Sequence, residues 1–116
     1  MTNIERLKIE TKGINYPDDE LSIYLQENGL HSNDVYNPQS NSNKKAIYVT
    51  ALALLESLAN QPQLFKSYKL DDITVYDFAD NLQKRITQLD RKLRMMASSD
   101  DNNGNGNGSV FMLFDA

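Results

Sequence analysis

Between Ala46 and Ala59 the chain reads Ala-Ile-Tyr-Val-Thr-Ala-Leu-Ala-Leu-Leu-Glu-Ser-Leu-Ala, nearly unbroken in apolar character. A helix apolar on almost every side must be covered on almost every side, so this one belongs at the centre of a bundle. It is too short to cross a bilayer, which takes roughly 20 apolar residues. Ala51 and Ala53 are small enough to let neighbouring helices approach closely. Pro62 follows soon after its end, where a residue that cannot continue a helix is expected. The rest of the chain therefore has to supply helices that wrap this one.

The flanking segments carry such patterns. Thr2 and Glu5 have the spacing of a capping box, predicting a helix from about Ile4 to Thr11 with Ile4, Leu7 and Ile9 turned inward and Gly13 ending it. The acidic run Asp18-Asp19-Glu20 suits the positive start of a second helix, with Leu21, Tyr24 and Leu25 on one face and Asn28-Gly29 as its stop. The polar stretch His31 to Asn43, with Pro38 and several Asn and Ser, predicts a loop. Phe65 to Val75, surrounding Asp71-Asp72, predicts an extended crossing with a turn, or a very short hairpin. The last helix is predicted from about Tyr76 to Met96. Its seam is Phe78 or Ala79, then Leu82, Ile86, Leu89, Leu93 and Met96. At about 30 Å it is long for a chain of 116 residues, so its C-terminal half is expected to project or to meet a neighbour. The expected fold is all-α: a compact bundle of about four helices around a buried central helix, in a domain spanning residues 1–97.

After Ala97 the composition changes. Residues 98–109, rich in Ser, Asp, Asn and Gly, cannot bury enough apolar surface to offset their ordering entropy and are expected to form a flexible tether. The tether leads to an apolar tip, residues 110–116, whose Val110, Phe111, Met112, Leu113 and Phe114 follow one another without a polar interruption. Such a tip either rests on its own domain or docks into another protein, as an added strand or as anchors in a groove.

Catalytic and metal chemistry find little to work with. There is no cysteine, which removes disulfides and thiolate metal sites, and the single histidine, His31, lies in the polar loop without a second ligand. Asp71-Asp72 and Asp18-Asp19-Glu20 are explained by a turn and a helix start. The glycines at 104, 106 and 108 follow no strand, and no serine sits in a nucleophile elbow. Neither an enzyme nor a cofactor is expected. The Met1-Thr2-Asn3-Ile4-Glu5 start lacks a signal-peptide pattern, and no segment reads as a membrane span. A net charge of −4 disfavours nucleic-acid affinity across the whole surface. Lys84, Arg85, Arg91, Lys92 and Arg94 nonetheless concentrate positive charge on the last helix. They could grip phosphates, suit the helix dipole, or meet the acidic face of an identical subunit head to tail, as in a ring.

Three stretches together resemble a known family. They are Asp18-Asp19-Glu20-Leu21 through Leu25, the alanine- and leucine-rich helix Ala46 to Ala59, and Lys66-Ser67-Tyr68-Lys69-Leu70-Asp71-Asp72-Ile73-Thr74-Val75 leading into Phe78-Ala79-Asp80-Asn81-Leu82 and Leu89. Over residues 4–96 the chain is similar to the small α-helical head–tail connector (adaptor, or head-completion) proteins of long-tailed bacteriophages and prophages. The resemblance implies a ring of copies below the portal of the capsid, assembled in the bacterial cytoplasm and residing at the head–tail interface of the virion. It implies contact with the portal protein through the C-terminal arm, here Val110 to Phe114, and with the next connector or stopper protein through other loops. DNA would pass nearby without specific binding. The Gly/Asn tether departs from the family's pattern. Two other readings stand beside this one: a small phage or bacterial DNA-associated regulator using the basic last helix, and a helical adaptor whose tip recruits a partner.

Overall fold

Thr2 opens the first helix as its spacing requires. Its hydroxyl accepts from the Glu5 N–H, and the Glu5 carboxylate accepts from the Thr2 N–H at 2.8 Å. Those bonds, from the Thr2 backbone first, hold the Glu5 carboxyl below its ordinary pKa. The computed structural model describes residues 1–70 and 72–103, in five helices: α1 (Asn3–Glu10), α2 (Asp18–Glu27), α3 (Asn41–Ala59), α4 (Phe65–Tyr68) and α5 (Val75–Asn103). A 3₁₀ turn, Pro62–Leu64, precedes α4. Among the described residues there is no strand, only isolated antiparallel bridges joining Thr2 to Val35 and Ile14 to Lys69. Gly13 and Gly29, with φ of 92° and 80°, follow α1 and α2 in a backbone conformation that glycine adopts without strain.

The central helix is α3, which packs against α1, α2 and α5. Its Ile47, Thr50, Ala51, Leu54, Leu55 and Leu58 are buried, and between Ala46 and Ala59 only Glu56 is exposed. Val49 and Ala53 stand one turn apart on the same side as Glu56 and are half-buried, so this side is the thin part of the cover. Leu7, Leu21, Leu25, Tyr36, Phe65, Phe78, Leu82 and Leu89 complete the core. The all-α bundle around a buried helix thus agrees with the sequence reading.

Four local expectations are corrected. Ile9 is 45% exposed: the inward face of α1 is Asn3, Leu7 and Glu10, and Ile9 lies about 200° around the helix from Leu7. Helix α3 starts at Asn41 rather than near Ala46. The Ser40 hydroxyl caps it by accepting from the Asn43 N–H, and Asn43 donates to buried Asn3 at 3.1 Å. The first part of the predicted crossing, Phe65–Tyr68, is helical, because Pro62 opens a 3₁₀ turn that continues into α4; after it the described residues before Val75 are non-helical, with the bridge of Lys69 to Ile14 and a turn at Asp72. Finally, α5 continues past Met96 to Asn103, taking in the first residues expected in the tether, where nothing before Gly104 breaks a helix. Asp71, the rest of the tether and the tip at 110–116 lie outside the described residues.

Candidate interaction surfaces

Helix α5 runs back along α3 and divides into two halves. In the first, Phe78 packs edge-to-face on Phe65, their ring centroids 5.3 Å apart, and Leu82 and Leu89 are buried. From Asp90 to Ala97 no side chain is buried.

The first half is locked to α1 by an ionic node that sequence reading missed. The Glu10 carboxylate is only 7% exposed. It accepts from Arg85 Nη2 at 2.6 Å and pairs with Arg6 Nη2 at 3.0 Å, one turn earlier on α1. Arg85 also donates from Nε and Nη2 to the Glu10 carbonyl at 3.2 and 3.1 Å, so the same guanidinium serves the open C-terminal end of α1. A carboxylate this buried requires pairing of this kind. Arg6 Nη1 is buried with no hydrogen-bond partner among the described residues. The rings of Tyr36 and Tyr48, centred 5.4 and 5.8 Å from its guanidinium carbon, provide cation–π stabilisation. Burial disfavours the Arg6 charge, but Glu10 and Tyr36 outweigh it and raise its pKa. Beside this node lies an open cleft of ≈ 410 Å³ whose rim carries Ile9 and Leu70, 45% and 53% exposed.

The second half of α5 forms one wall of a groove of ≈ 720 Å³ against the N-terminal turns of α3. Lys44, Lys45 and Tyr48 come from α3, and Lys92, Met95 and Met96 from α5. The Lys92 ammonium sits 5.2 Å from the centre of the Tyr48 ring. No carboxylate is among the lining residues, although the chain as a whole is acidic.

The basic residues singled out on the last helix are therefore not one patch. Lys84 pairs with Asp80 at 3.0 Å, Arg94 with Asp90 at 2.9 Å, and Arg85 with Glu10. Arg91 is exposed. Lys92 instead joins Lys44 and Lys45, which lie between the predicted loop and the predicted start of the central helix. Reading Ser40 as a helix cap would have found them, since residues 44, 45 and 48 then share neighbouring turns. The Val110 to Phe114 tip lies outside the described residues. His31 is exposed, and its backbone carbonyl accepts from Asn3 Nδ2 at 2.9 Å. Asp18 pairs with Lys8 at 2.9 Å, and Glu20 accepts from the Tyr68 hydroxyl at 3.0 Å. No cluster of three or more His, Cys, Asp or Glu able to hold a metal occurs among the described residues, and none of their helices is long and apolar enough to cross a membrane. The chain matches no protein-family model, no curated protein and no solved structure.

Proposed function

We propose that this chain is a non-catalytic assembly subunit: a head–tail connector of a long-tailed bacteriophage or prophage, forming a ring below the portal that joins head to tail and extends the DNA channel. The observation that carries this reading is the division of α5. One half belongs to the core, while the other presents a basic groove and a seam, Leu93 and Met96, that the chain's own helices leave half-covered. The reading also rests on the sequence resemblance over residues 4–96 and on the apolar tip, which is assigned to the portal protein. The next connector or stopper protein is assigned to other loops of the domain.

The regulator reading has less support. Lys84, Arg85 and Arg94 each face a carboxylate of this chain, which weakens their pull on phosphates. The test is co-sedimentation of the full chain with purified portal rings encoded by the same genome. Attachment that is lost in a Phe111→Ser/Phe114→Ser variant is expected. No attachment, together with sequence-specific duplex binding tighter than about 10⁻⁸ M, would replace the connector with the regulator.

A further inference from the structure

We propose that, in the chain without partners, the groove between α3 and α5 is the docking site of the chain's own segment 110–115. This goes beyond the connector reading and does not depend on it.

Charge and reach both point to that occupant. The groove offers Lys44, Lys45 and Lys92 around an apolar floor of Tyr48, Met95 and Met96. Segment 110–115 offers five apolar residues followed by Asp115. Apolar contact with the methionines and an ion pair between Asp115 and a lysine are thus available at once. Methionine suits the role because its unbranched, polarisable side chain adapts to whatever it covers. Met95 is 66% exposed in this groove.

Reach separates this groove from the other opening. Met95 lies about 12 Å back along α5 from Asn103, at 1.5 Å per residue. Residues 104–109, alternating Gly and Asn before Ser109, would span about 13 Å as a random coil. A linker whose root-mean-square length matches the distance it must bridge gives the highest effective concentration of the tethered group. The cleft beside Glu10 begins at Arg85, about 27 Å back along the same helix. That exceeds the roughly 20 Å to which residues 104–109 extend when fully stretched.

The chain has no cysteine, so Ala116→Cys gives a unique attachment point for a nitroxide label. The readout is the intensity of the ¹³C-methyl signals of Met95 and Met96 in the labelled full chain. Strong attenuation is expected, with recovery when Phe111→Ser/Phe114→Ser is added and again when Lys44→Glu/Lys45→Glu is added instead. Equal attenuation with and without the tip substitutions would overturn the proposal, because the label would then be near the groove without docking. A mixture of labelled chain and separately ¹³C-labelled chain tests for exchange between copies. Attenuation in that mixture as strong as within one chain would also overturn it, assigning the groove to a neighbouring subunit.

Discussion

The two halves of α5 share one helix and one seam but have opposite roles. As far as Leu89 the seam packs against the core, with Phe78, Leu82 and Leu89 buried and Ile86 half-buried beside them; from Asp90 onward no seam residue is buried, and Leu93 and Met96 are half-exposed. The difference comes from α3, not from α5. Helix α3 begins at Asn41, abreast of residues 92–96, so α5 outruns its partner by about 10 Å before Asn103. An apolar stripe fixes which side of a helix can be buried, while the length of its neighbour fixes how much of it is.

The most damaging way to probe the comparison is to truncate the shared wall. Leu54→Ala or Leu55→Ala is expected to cost about 2–5 kcal/mol by denaturant titration, since both leucines are fully covered. Leu89→Ala should fall in the same range, and Leu93→Ala under about 1 kcal/mol. Equal costs for Leu89 and Leu93 would erase the boundary between the halves.

Next comes the node. Glu10→Ala leaves Arg6 and Arg85 without their shared carboxylate. A buried pair broken on one side loses about 3–5 kcal/mol; with Arg85 one-third exposed, about 2–3 kcal/mol is expected in the same titration. A loss below about 0.5 kcal/mol would mean that α1 does not depend on α5.

A smaller effect sits where Tyr16 meets the backbone of α3. The Tyr16 hydroxyl donates to the Leu54 carbonyl at 3.0 Å, and burial, followed by the nearby Tyr24, Glu20 and Tyr68, raises its pKa well above 10.0. The folded state therefore holds this proton more tightly than the unfolded state. The corresponding stability is complete below about pH 10 and declines as the pH rises above it. Tyr16→Phe should cost about 1 kcal/mol at neutral pH and flatten the alkaline part of the stability profile. An unchanged alkaline slope would remove Tyr16 as its source.

The smallest stability effect belongs to the groove. Met95→Ala and Lys92→Gln are each expected within about 0.5 kcal/mol of the parent chain, as exposed positions usually are. A loss above about 1 kcal/mol at either would place the groove within the folded core.

The sequence revealed what local patterns encode: the Thr2–Glu5 cap, the α2 start at Asp18, the buried face of α3 and the seam of α5. It did not reveal what depends on distant partners. The start of α3 was hidden because Asn41-Ser42-Asn43 favours loops by itself and is held by Asn3, which also ties His31 to α1. The Glu10–Arg85 node joins residues 75 positions apart, which no periodicity connects. The charged groove was half legible, since Lys92 stands out on the last helix while Lys44 and Lys45 fall between the predicted loop and the predicted helix.

Hydrogen exchange along α5 in the full chain, followed by mass spectrometry, tests the division of this helix most directly. The account predicts that amides from Phe78 to Leu89 exchange only with global unfolding, while those beyond Met96 exchange through local opening at much lower free energy. Uniform protection from Phe78 to Asn103, at the level of global unfolding, would contradict it.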